Sequence, residues 1–293
     1  MSAAPRARST EAEDGRRRDL RRPPAPEPLP LPVVDNHTHL DIVDGDDLVD
    51  VEELLARAAE TGVPHAVQIG CDLPAARWTV QAVERYPALL GGVALHPNEA
   101  PVLAAAGELD AALEEIAELA RHPRVRVVGE TGLDYYRTGP EGVAAQQESF
   151  RRHIRLAKEL GLALQIHDRD AHDDVLRILA EEGAPERTVF HCFSGDAEMA
   201  RVCGDAGYYL SFAGNITFKN AEPLREALRA APQDRLLVET DAPFLTPAPH
   251  RGRPNASYLV PVTVRAMAEV TGADLEELCA ALGRATEEVY GTW

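Results

Sequence analysis

No uninterrupted apolar run in the 293-residue chain reaches the length needed to cross a bilayer, although hydrophobic residues make up 45% of it. A transmembrane helix is therefore not expected. Cysteine is scarce: Cys71, Cys192, Cys203 and Cys279 form no C-x-x-C pair and keep no regular spacing. That pattern argues against a disulfide framework and against a structural zinc site. Reduced thiols in a cytoplasmic protein are the expectation. Positive charge is also short, with 30 Lys and Arg against 48 Asp and Glu, a net charge of −18. That balance argues against a long basic groove for nucleic acid but not against a small local cluster of cations, since phosphate contacts depend on local charge. No G-x-G-x-x-G follows any strand-like segment, which removes the dinucleotide fingerprint.

The first thirty residues lack something else. They hold seven arginines, five acidic residues and many prolines, but almost no apolar side chains. Such a segment buries too little surface to offset its ordering entropy. It carries no apolar core of a signal peptide behind its arginines. Residues 1–30 are expected to be a disordered tail, and residues 31–293 a single folded domain at a net charge near −20.

What the chain does have is a beat. Eight short apolar segments recur, at 33–40, 65–70, 89–95, 125–132, 162–168, 187–193, 208–214 and 235–241. Continuous Val, Leu and Ile runs fit strands covered on both faces, as in a parallel sheet. Between them lie stretches of helical period at 47–61, 74–86, 108–121, 146–160, 170–182, 196–206 and 220–230. The clearest is QQESFRRHIRLAKELG, where Phe150, Ile154, Ala157 and Leu160 share one face and Gly161 ends the helix. Eight such units in one α/β domain predict a closed (β/α)8 TIM barrel. Two further helices, about 257–271 and 274–289, form a C-terminal helical extension.

In this fold chemistry gathers at the C-terminal ends of the strands. Those ends carry His37 and His39, His96, Glu130, His167, His191 and Asp241. Asp35, His37 and His39 alternate along one strand and so point the same way. Any one buried histidine near a strand end is more often a satisfied structural group. Five of the chain's ten histidines at strand ends, with two carboxylates, are not explained that way. Imidazole and carboxylate together suit Zn²⁺, Mn²⁺ and similar divalent ions. Six ligands exceed one tetrahedral zinc with an open position. They suit a two-metal hydrolytic site, its ions about 3.5–4 Å apart and sharing a carboxylate.

The motifs DNHTHLD, ALHPNE, GETGLDY, QQESF, QIHDRDA, HCFSGD, YLSFAGNITFKNA and ETDAPFLTPAPHRGRPN together resemble those of the TatD-type metal-dependent deoxyribonucleases, in the amidohydrolase superfamily. The resemblance spans about residues 33 to 291. It implies a TIM barrel with two divalent metal ions (Zn, Mn or Mg) and 3′-5′ exonuclease-like phosphodiester hydrolysis. By the same resemblance His37, His39 and Asp241 ligate one metal, His167 and His191 the second, and Glu130 bridges them; Glu130 and Asp241 are the catalytic carboxylates. Two positions depart from the pattern: Asn98 stands where the family has a second histidine after His-Pro, and Ala285 where an asparagine is expected.

Around the ligands, His96 reads as a phosphate-contacting or supporting group. Lys219, Arg251 and Arg253 sit in loops after strands seven and eight, the phosphate-handling corner of the fold. Glu239 shares a face with Asp241 and reads as a carboxylate orienting a ligand from behind, or as one member of a buried ion pair. The leading expectation is a monomeric cytoplasmic nuclease acting on single-stranded DNA or 3′ ends, with no membrane partner. A hydrolase of small-molecule or aminoacyl esters and amides competes, because the same ions polarise carbonyls and the chain is acidic. A non-catalytic binding barrel is disfavoured by the full ligand set, and fold alone decides nothing here.

Overall fold

The computed structural model describes residues 6–11, 15–46 and 49–293. Eight strands carry the fold: β1 (Val34–Thr38), β2 (His65–Gly70), β3 (Leu89–Val93), β4 (Val125–Asp134), β5 (Ala163–Arg169), β6 (Thr188–Phe190), β7 (Tyr209–Phe212) and β8 (Leu236–Val238). They are hydrogen-bonded in sequence order within one sheet. The pairs β3–β4, β4–β5, β5–β6 and β7–β8 are parallel. Helices α1 (Val51–Glu60), α2 (Leu73–Arg85), α3 (Glu99–Ala106), α4 (Leu109–Leu119), α5 (Pro140–Leu160), α6 (His172–Glu182), α7 (Ala197–Asp205) and α8 (Glu222–Ala230) fill the connections. Beyond β8 come α9 (Val260–Thr271) and α10 (Leu275–Tyr290). The expected (β/α)8 barrel with a C-terminal helical extension is what forms.

The chain falls into two compact units. One comprises residues up to 67 with 195–288 and 293; the other comprises 68–194 with 289–292. In the first, β1 runs beside the end of β8. Asp241 N–H donates to His37 O at 3.0 Å and His39 N–H to Ala242 O at 2.7 Å. Asn36, fully buried, donates its amide to Val238 O at 2.8 Å. These bonds join the two strands whose ends carry His37, His39 and Asp241.

In the second unit β4 is ten residues long and pairs with β5 from Val127↔Ala163 to Asp134↔Arg169, with a register shift between Val128 and Thr131. Gly132 makes the close approach possible. A Cβ there would lie 2.1 Å from the His167 carbonyl oxygen, and its φ of +135° suits only glycine. Outside β3 and β4, Ile116, Leu113 and Ala112 of α4 pack with Ala76, Val93, Leu95 and Val125 in one buried cluster. Helix starts follow local chemistry: the Asp72 carboxylate accepts from Ala75 N–H at 2.7 Å, and Asp196 accepts from Glu198 and Met199 N–H.

Several boundaries differ from the sequence reading. Helix α3 is additional, its run APVLAAA lacking amphipathic period. Helix α5 begins at Pro140, a residue suited to a first helical position, rather than near 146. The last strand ends at Val238, so Asp241 lies in a loop with φ of +52°. Residues 47 and 48, inside the expected first helix, lie outside the described residues; α1 starts at Val51, capped by Asp50.

Of the tail read as disordered, residues 1–5 and 12–14 lie outside the described residues. The described remainder makes polar contacts within the first unit. Arg6–Ala7 pairs in parallel with Ile42–Val43. Arg18 and Asp44 form an ion pair at 2.6 Å with both side chains 3% exposed. Arg18 Nε also donates to Gly252 O at 3.0 Å, and Tyr258 OH donates to Pro23 O at 2.7 Å. Leu29 is buried, with its N–H on Thr61 O. Arginine hydrogen bonding provides here what apolar burial does not.

Candidate metal centre

The first group of donors stands at the joined ends of β1 and β8. His37 Nε2 and His39 Nε2 face each other at 3.2 Å. Asp241 Oδ1 is 3.4 Å from His39 Nε2 and 3.9 Å from His37 Nε2. One ligand atom from each of the three lies within 4.8 Å of the others. His37 is fully buried and His39 nearly so. Two buried ring nitrogens and a carboxylate oxygen aimed at one point are the donor set of a divalent cation.

The support beneath them is polar and buried. Asp35, on the same strand face as His37, accepts from Thr240 N–H at 2.8 Å and from Thr240 Oγ1 at 2.5 Å. Burial pushes its carboxyl up to about 7, against the opposing pull of the Thr240 and Ser257 hydrogen bonds. Asn255 donates its amide to Thr240 O at 3.0 Å and to Phe244 O at 2.5 Å, so the turn carrying Asp241 is held at both ends. Glu239 is wholly buried two residues before Asp241. From the tail, Arg8 donates to Pro243 O and sits 4.9 Å from the Phe244 ring centroid.

The second group comes from within β4 and β5 and from the residue just past β6. Glu130 Oε2 is 2.7 Å from His191 Nε2 and 3.3 Å from His167 Nδ1. His96, Glu130 and His167 also bring one ligand atom each within 4.8 Å of the others. Burial would raise the Glu130 pKa, but the charges of His191 and His96 and hydrogen bonds from His167 and His191 hold it well below the usual carboxylate range. His167 Nε2 is buried without a hydrogen-bond partner, 3.4 Å from Asp134 Oδ2. Burial alone would lower the His167 pKa, yet Asp134 and Glu130 raise it. Carboxylates that draw a proton onto His167 offer the same attraction to a metal ion.

His96 differs from the other three. Its Nδ1 accepts from Asn98 N–H at 3.1 Å. Burial pushes its pKa down to about 3. A neutral imidazole that accepts at Nδ1 carries its proton on Nε2, and there it donates. That chemistry suits an anionic oxygen better than a metal ion. Asn98, standing for the family's histidine, donates its amide to Asp134 Oδ2 at 3.1 Å and accepts from Thr138 Oγ1. It braces Asp134. The other departure, Ala285, is buried on α10.

The expected cations are placed differently from one another. Arg251 lies over the Phe218 ring at 4.5 Å. Arg253 donates to Arg21 O and Arg22 O, both at 2.7 Å, and so anchors the N-terminal segment. Lys219 is exposed. Sequence reasoning missed three supporting residues. Thr240 and Asn255 gave no signal, being ordinary polar residues in a loop. Arg8 was hidden in a segment whose composition pointed to disorder.

A (β/α)8 barrel whose strand ends gather imidazoles and carboxylates in this way is a metal-dependent hydrolase. The chain belongs to the TatD family: residues 34–291 match the family described as TatD related DNase. It is 46% identical over 263 residues to an uncharacterized metal-dependent hydrolase TatD of Mycobacterium tuberculosis, covering 88% of this chain and 98% of that protein. It is 41% identical to the uncharacterized metal-dependent hydrolase YcfH of Escherichia coli K12, over 84% of this chain and 91% of that one. Among solved structures, the TatD homolog YJJV from Escherichia coli K12 superposes with a TM-score of 0.81 at 27% identity, covering 89% of this chain and 98% of that chain. No helix among the described residues is long and apolar enough to cross a membrane.

Proposed function

We propose that this TatD-family hydrolase cleaves phosphodiester bonds of single-stranded DNA or 3′ ends with two divalent ions, Zn, Mn or Mg. His37, His39 and Asp241 would hold one ion, His167 and His191 the other, with Glu130 the shared carboxylate. The observation that carries this reading is the gathering of His37, His39 and Asp241 within reach of one ion, together with Glu130 at 2.7 Å from His191 Nε2 and 3.3 Å from His167 Nδ1. When bound, such ions polarise a phosphoryl oxygen and lower the pKa of water towards neutrality. The side chains supply the rest. The Asp241 carboxylate, its Oδ1 3.4 Å from His39 Nε2, is placed to accept a proton. Neutral His96 donates Nε2–H to a phosphoryl oxygen without adding a charge that would compete with the ions. Asp134 keeps His167 turned through its 3.4 Å contact. Asp35 and Asn255 hold the turn that presents Asp241.

The description of the matching family supports a DNA substrate, and the −18 net charge favours one that makes few phosphate contacts. Lys219 and Arg251 are the proposed cations for those contacts; Arg253 acts on them only through the loop it anchors. Incubating metal-loaded protein with a 3′-labelled single-stranded oligonucleotide, a lactone and an aminoacyl ester tests the assignment by kcat/KM. Highest values are expected for the oligonucleotide. Preference for either carbonyl substrate by tenfold or more would move the chain to the ester and amide hydrolases.

A further inference from the structure

Just beyond the Glu130–His167 cluster stand two side chains that the metal ligands do not use. Arg169 is the last residue of β5, two positions past His167, and Tyr136 lies two positions past Asp134. Asp134 and Arg169 are register partners, and Tyr135 N–H donates to Arg169 O at 2.9 Å, so the two segments still run side by side here. Residues two apart on a strand share a face, displaced by roughly 7 Å. Arg169 therefore stands on the His167 face, one step further out.

The pair has an unusual combination of properties. The Arg169 guanidinium lies 3.9 Å from the Tyr136 ring centroid. Tyr136 is 63% exposed, and only Val102 and Val202 join it as exposed large hydrophobic side chains among the described residues. Its neighbour Tyr135 instead bonds Asp174 and Gln147. Arg169 makes no side-chain hydrogen bond or ion pair among the described residues. Several arginines of the same unit have carboxylate partners, among them Arg151 and Arg155 with Glu182 and Arg177 with Asp174 and Glu181, whereas Arg169 has only the Tyr136 ring among the described residues. An arginine without a carboxylate partner and an aromatic face in water, side by side beyond residues of metal-ligand type, present a recognition surface.

We propose that Tyr136 and Arg169 form a nucleotide subsite, in which the open face of Tyr136 stacks a nucleobase and Arg169 pairs with the phosphate next to it. This rests on the phosphodiesterase reading and narrows its substrate to a strand with unpaired bases, since a base inside a duplex has no free face to offer. Stacking is indifferent to net charge and to base identity. It gives a molecule at −18 a way to hold a polyanion with few cations. One base on an aromatic ring contributes roughly five- to a hundredfold in affinity.

The test compares two chains of equal length, oligodeoxythymidylate and an abasic deoxyribose-phosphate oligomer, on the metal-loaded full-length protein. Tyr136→Ala should raise KM for oligodeoxythymidylate about tenfold and leave the abasic oligomer unchanged. Tyr136→Trp should restore the wild-type value. Arg169→Ala should weaken both oligomers. The proposal is overturned if Tyr136→Ala moves both oligomers equally or moves neither. If the wild-type protein cleaves neither oligomer, the phosphodiesterase reading fails, and the subsite is read by fluorescence anisotropy. A wild-type preference for the base-bearing oligomer that Tyr136→Ala abolishes then supports it; equal binding of the two by the wild type refutes it.

Discussion

Histidines do opposite jobs in this protein, and their partners decide which. His37 and His39 point ring nitrogens at each other, an arrangement that a cation between them relieves. His153 points at neither metal group. Its Nδ1–H donates to Ser149 O at 2.8 Å and its Nε2 accepts from Leu95 N–H at 3.2 Å, all fully buried. The neutral ring is satisfied at both nitrogens; a second proton would face the Leu95 N–H. Burial accordingly pushes its pKa down to about 4, against the Ser149 bond. Between about 4 and the ordinary 6.5 the unfolded chain binds this proton and the folded chain does not, so stability falls as pH drops through that window. The loss reaches about 3 kcal/mol. Denaturant unfolding from pH 7 to pH 4 should show this slope, and His153→Gln should remove that part of it. An unchanged slope in the variant would mean that other groups drive the acid sensitivity.

At the scale of elements, the strands were legible because doubly covered strands read as continuous apolar runs. All eight overlap the apolar segments read from the sequence. What the sequence could not mark was where pairing stops. The run RLLVETD looks like one strand through Asp241, yet the strand ends at Val238, a single bridge from Thr38 to Ala242 follows, and the turn is set by Asp35, Thr240 and Asn255. Those bonds join positions far apart in the chain, which no local pattern records. The metal-type residues were legible for the opposite reason: imidazoles and carboxylates at strand ends need no packing information to be noticed. The N-terminal segment was opaque because its contacts are ionic. Arg18 and Asp44 are both 3% exposed, and removing one partner of a buried pair costs about 3 kcal/mol. Arg18→Ala should therefore lower Tm by roughly 6–12 °C. A change below about 2 °C would show that the segment does not brace Asp44 and the loop at Gly252.

For the whole molecule, an acidic barrel acts on an anionic substrate only if its positive charge is concentrated where the reaction occurs. In the proposed reading, two divalent ions held by the site's histidines and carboxylates would provide that concentration, and no long basic surface would then be required. Metal dependence and metal number are thus the same question as substrate choice. The most direct measurement is a titration of chelator-stripped full-length protein with Mn²⁺, following hydrolysis of a 3′-labelled single-stranded oligonucleotide and metal content together. The expected result is no turnover in the stripped protein and a rise that saturates at two bound ions per chain. Turnover in the stripped protein, or saturation at a single ion, would contradict it.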